Sequence, residues 1–217
     1  MSEPTGAGAE LGALKPRELV ELLDRMNPAD IAARNIDVDA IGRAIDPRKL
    51  RGGDLSALLS AITRLAEAGA EVDLARMGPD TFAAIISRAS REQLQTVMAD
   101  AGLRARIIGE VFRRMGDHVR PDRVRGVEAV VHWRLSEGTG AGGYDRWETV
   151  IAGAACSVNR EMAGRPRATI TLSPADFLAL ITQNASAPVL FLTGRLKVRG
   201  DLAFAAGLPG LFDLPRG

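Results

Sequence analysis

The sequence predicts an α+β chain in two parts, an all-helical first half followed by a five-stranded antiparallel sheet covered on one face by helices. Three observations predict it. Apolar residues recur at three- and four-residue steps up to about position 116, the period of a helix with one buried face. After Pro121 the period shortens to two, the period of a strand. Only Phe82 and Phe112 among the aromatic residues precede position 116, so large flat side chains belong mostly to the sheet-forming half, whose core is expected to be wider and to leave an internal space.

Residues 1–12, MSEPTGAGAELG, are small and polar and read as a disordered tail; residues 13–104 read as a helical bundle and 105–217 as a second domain. In ELVELLDRM, Leu19, Leu22, Leu23 and Met26 make one stripe, with Pro16 suited to a first turn. Asp54 is expected to cap DLSALLSAITRLAEAG, whose stripe is Leu55, Leu58, Leu59, Ile62 and Leu65. Ser90 and Gln93 read as a capping box. Leu103, Ile107, Val111 and Met115 mark the next helix. MNPADIA and MGPDTFA share a Met-x-Pro start, which fits either a duplicated helical hairpin or a common way to begin a helix.

In VRGVEAVVHWRLSEG, Val127, Ala129, Val131, Trp133 and Leu135 share one strand face, with Glu128, His132 and Arg134 on the other. GTGAGG is a turn, and RWETVIAG and ACSVNREM form a hairpin broken at Gly153. RATITL turns Ala168, Ile170 and Leu172 inward, then Ser173 caps the helix SPADFLALITQ. After the apolar stretch PVLFL, GRLKVRGD reads as the last strand with Arg195, Lys197 and Arg199 outward, as a solvated face or, alternatively, a docking surface for acidic head groups or a partner. Asp201 then caps the helix LAFAAGLPGLF, which gives the RGD triplet a structural role.

Chemistry is sparse. The 217 residues carry a formal net charge of +1, which leaves no basic footprint for nucleic acid. No apolar run approaches the length of a membrane span, so no stable insertion is expected and the cytosol is the default location. GTGAGGYD lacks the Lys-Ser/Thr of a phosphate-binding loop. His118 and His132 have no Cys or His at ligand spacing, and Cys156 lies in a strand, so neither a metal, another cofactor nor a thiol nucleophile is expected.

The helix RARIIGEVFRRMGDHV, the strand VEAVVHWRL, the Trp of RWETVIA, the CSVNRE hairpin, TITLSPADFLALI and FLTGRLKVRGDLAFAAGLPGLF together resemble the sterol carrier protein type 2 family, from about Arg106 to Leu214. The resemblance implies a non-catalytic fold whose curved sheet and helices enclose an apolar tunnel for a fatty acid, an acyl-CoA, a phospholipid or a sterol. Side chains available to line it are Val131 and Trp133, Ile170 and Leu172, Phe177 and Ile181. Phe191, Leu196, Val198, Phe204, Leu208 and Phe212 complete the set. The chain ends at LPRG soon after Phe212 and lacks a Ser-Lys-Leu-type ending, which fits a bacterial cytosolic protein with a short closing segment.

The expected function is therefore binding or transfer of a lipid or acyl-CoA without catalysis. The alternative is an interaction or oligomerisation module with a filled core, whose helical half forms a homodimer or recruits a protein partner. An acyl-CoA-handling enzyme has least support, because no nucleophile or base is anchored.

Overall fold

The computed structural model describes residue 11 and residues 14–34, 36–51, 53–72 and 74–214. The expected disordered tail, Leu11 apart, lies outside the described residues. The chain divides into two compact units, which join in sequence between Leu103 and Arg104.

In the first unit the described helices are α1 (Pro16–Arg25), α2 (Pro28–Ala33), α3 (Val38–Ala44), α4 (Asp54–Glu67), α5 (Pro79–Arg88) and α6 (Arg91–Ala99). Proline opens α1, α2 and α5, where its missing N–H has no partner to lose. Ser90 and Gln93 close a reciprocal capping box on α6, with bonds of 2.8 and 3.1 Å. Asp54 is not the cap of α4. Gly53 holds that position, and Asp54 inside the first turn accepts from the Arg51 N–H at 3.1 Å. The stripe Leu55, Leu58, Leu59, Ile62 and Leu65 is buried, and α4 lies against α1. Arg64 then caps the end of α1, donating to the carbonyls of Leu23 at 2.9 Å, Asp24 at 2.7 Å and Met26 at 3.3 Å. A guanidinium suits that place because the last carbonyls of a helix are unpaired and carry partial negative charge.

The second unit takes in most of α7 (Ala101–Met115), then the short α8 (Pro121–Val124). Next come β1 (Ala129–Ser136), β2 (Tyr144–Ala152), β3 (Ala155–Asn159), β4 (Ala168–Leu172), α9 (Pro174–Ile181), α10 (Ala187–Leu192), β5 (Leu196–Gly200) and α11 (Leu202–Gly207). The sheet order is β3-β2-β1-β4-β5. Gly153 and Ala154 both take positive φ, 58° and 66°, the geometry that two-residue hairpins favour, and they turn β2 into β3.

The sheet is mixed, not antiparallel as expected, because β4 runs parallel to β1. Period-two patterning fixes which side chains share a face but not the direction of a strand. Direction is set by the segment after β3, residues 160–167, which recrosses the sheet before β4 begins. Gly164 lies against Val130 there, where a Cβ would come within 2.9 Å of a Val130 methyl, and its N–H donates to Glu148 at 2.8 Å. PVLFL forms most of α10 rather than an apolar linker, with Ser186 as its cap. Arg195 precedes β5 instead of joining its alternation, and its guanidinium pairs with the buried Asp176 of α9, Nε to Oδ2 3.3 Å. Asp201 caps α11 as expected, accepting from the Phe204 N–H at 2.9 Å.

Candidate functional site

The register assigns each strand residue to a face. On the inner face, Trp147, Trp133, Ile170 and Val198 form one row across β2, β1, β4 and β5. Thr149, Val131 and Ala168 form the row on one side of it, and Asp145, Leu135, Leu172 and Leu196 the row on the other. Helix residues cover this face. Phe112 of α7 stacks on Trp147 with ring centroids 4.6 Å apart and on Phe177 of α9 at 5.0 Å. Trp133 meets Phe112 edge-on at 5.9 Å and Phe177 at 5.6 Å. Offset and edge contacts of this kind add attraction beyond area burial. Trp133 donates its indole N–H to Thr149 Oγ1 at 2.9 Å, so its one polar atom is satisfied inside the core.

Charged groups near this core are paired. Arg104 Nε is 3.0 Å from Asp145 Oδ2. Burial raises the Glu110 carboxyl, but hydrogen bonds and charge from Arg113 and Arg114 outweigh it and hold the group below the usual carboxylate range. On the opposite face His132 Nε2 lies 3.0 Å from Glu148 Oε2. Burial raises Glu148 as well, and the Gly164 N–H, His132 and Asn159 outweigh it and lower it. His132 is therefore buried against a carboxylate and not on a solvated face. Burial pushes the Cys156 thiol up to about 11, which keeps it protonated and a poor nucleophile. Among the described residues no group of three or more His, Cys, Asp or Glu is arranged to hold a metal ion.

The predicted lining residues fall into three groups. Val131, Trp133, Ile170, Leu172, Phe177 and Leu196 are buried, and the register or ring contacts bring them to the inner face. Leu208 and Phe212 are also buried, Phe212 beside Val119 through a backbone bridge. Ile181, Val198 and Phe204 are half-buried, with the Arg167 guanidinium 4.3 Å above the Phe204 ring, and Phe191 is 41% exposed. Sequence reasoning missed Phe112 and Trp147, which complete the aromatic cluster. The spacing Ile108, Phe112, Met115 on α7 and the position of Trp147 opposite Trp133 were the available signals. It also missed Val189 and Leu192 on α10 and Leu202 on α11, exposed by 54%, 84% and 50%.

A shallow groove of about 490 Å³ lies elsewhere, between the Glu128–Val130 and Val150–Ile151 ends of β1 and β2 and the segment Arg165–Arg167. It contains none of the predicted lining residues.

Residues 108–213 match the SCP-2 sterol transfer family. The C-terminal half of this chain belongs to that family. Human sterol carrier protein 2 is 24% identical over 140 residues, covering 64% of this chain and 25% of the relative, so the chain spans about a quarter of that protein's length. The apo form of sterol carrier protein 2 from Yarrowia lipolytica is 26% identical with a TM-score of 0.40, over 50% of this chain and 88% of that one. Palmitated sterol carrier protein 2-like 2 from Aedes aegypti is 22% identical with a TM-score of 0.40, over 51% and 95% of the two chains. No described helix is long and apolar enough to cross a membrane.

Proposed function

We propose that the SCP-2 domain binds one lipid, a fatty acyl chain, an acyl-CoA or a sterol-like molecule, without catalysing a reaction on it. The observation that carries this reading is where unburied apolar surface lies. All the large apolar side chains that are exposed among the described residues, Val189, Phe191, Leu192 and Leu202, sit on α10 and α11, the helices that flank β5 in sequence. Val198 on β5 is itself half-buried, while Trp133 on β1 in the same row is buried against Phe112 and Phe177. The ligand belongs at the β5 side of the inner face, with α10 and α11 as its outer wall. Each methylene taken out of water there contributes about 0.8 kcal/mol, so an acyl chain needs apolar wall and few polar anchors.

The test is extraction and mass spectrometry of lipid from the purified full chain, followed by titration with long-chain fatty acid and acyl-CoA. Stoichiometric binding that weakens in Leu192→Ser and Phe191→Ser supports the reading. No co-purifying lipid and no binding at micromolar concentration defeats it. The aromatic cluster favours a second reading, in which the core is filled and the exposed face of α10 meets a protein. In that case the same two substitutions change oligomeric state or partner capture and leave lipid titrations flat.

A further inference from the structure

The face of the sheet opposite the aromatic cluster carries a row of its own: Arg146 on β2, Arg134 on β1, Thr171 on β4 and Lys197 on β5. With strands about 4.8 Å apart the row spans about 14 Å. Arg199 lies in the next row beside Thr169, His132 and Glu148. Glu148 is the acidic member of these two rows, and its carboxylate is taken up by His132, the Gly164 N–H and Asn159.

Several other arginines of this unit have carboxylate partners, among them Arg104 with Asp145, Arg167 with Asp201 and Arg195 with Asp176. Arg134 has no ion pair or hydrogen bond among the described residues, and Arg146 donates only to the Ala141 carbonyl, at 2.8 Å. The two stand directly opposite each other, and the Nε atom of each is buried without an acceptor. Like charges facing across a strand pair repel, and a buried donor without a partner is costly. Two neighbouring guanidinium forks with free donors match an oxyanion that accepts from both, which removes the repulsion and the unmet donors together.

We propose that Arg134 and Arg146 form a binding site for a phosphate-class dianion, a phosphate monoester group, with Lys197 and Arg199 supplying further positive potential on the same face. The site is on the other side of the sheet from the proposed lipid position and stands independently of it.

The experiment melts the full chain in sodium phosphate and in sodium chloride at equal ionic strength, with phosphate affinity taken from the dependence of melting temperature on concentration. Wild-type protein is expected to gain stability saturably in phosphate. R134Q and R146Q are expected to lose that gain while melting at or above the wild type in chloride, since the repulsion is gone. R134K, which keeps the charge without the fork, should lower phosphate affinity about 10-fold or more. The exposed pair Arg120→Gln and Arg125→Gln controls for net charge. An equal phosphate effect in wild type and R134Q, or none in wild type, overturns the proposal. Sedimentation with phosphatidylcholine vesicles, with and without phosphatidic acid, identifies the source. Binding to phosphatidic acid that R134Q abolishes assigns a lipid head group. Phosphate binding without R134Q-sensitive vesicle binding assigns a soluble phosphate ester.

Discussion

Two ends of the same row on the inner face of the sheet differ in how they are closed. At Trp147 and Trp133 the covering residues are Phe112 and Phe177, rings in mutual contact. Val198 at the other end is half-buried, as Trp147 is, but the neighbouring elements in sequence, α10 and α11, turn Leu192, Phe191, Val189 and Leu202 to solvent. Removing apolar surface from water is the main drive for folding, so the closed end contributes stability and the open end has capacity left for something else. One sheet face thus joins a packed aromatic cluster to helices that keep apolar surface in water.

Substitutions can break this contrast. Phe112→Ala removes the ring shared by both stacked pairs and should cost about 3–5 kcal/mol, read by chemical denaturation. A loss near zero would mean the closed end is not packed as described. Thr149→Val deprives the buried Trp133 indole of its acceptor and should cost about 1–3 kcal/mol. Leu192→Ser, at the open end, should change stability by no more than about 0.5 kcal/mol while weakening fatty-acid binding. A large loss of stability there would make α10 part of the core.

Acid provides a further test of the sheet's opposite face. The Glu148 carboxyl is depressed by the Gly164 N–H, His132 and Asn159, despite burial acting the other way. Its contribution is therefore complete above the unfolded carboxylate range and is lost as pH falls through the depressed folded value. Stability of the wild type should drop on acidification, and Glu148→Gln should flatten that part of the curve. The smallest effect concerns Cys156. With its thiol raised to about 11, alkylation by iodoacetamide at pH 8 should be slower than for an unfolded control.

Particular residues show how far sequence reading reached. Ser90 with Gln93 and Asp201 before Phe204 were legible because capping depends on residues three apart in the chain. Val131, Trp133, Ile170 and Leu172 were legible as one face because a strand alternates. The parallel pairing of β4 with β1 was not, since the path of residues 160–167 leaves no mark on the alternation of either strand. Arg195 looked like one of three outward cations, yet it pairs with Asp176, nineteen positions earlier. His132 looked solvated because its burial depends on Glu148 in a different strand.

The order of elements, their caps and the alternation of their faces follow from the amino-acid sequence by itself, since neighbours a few residues apart decide backbone conformation. Family resemblance was legible on the same basis, from motifs read along the chain. Tertiary structure decided the direction of β4, the meeting of Phe112 with Trp147, and which apolar side chains stay in water. Those depend on partners distant in the chain, whose approach is set by loop paths and side-chain volume together and by no local pattern.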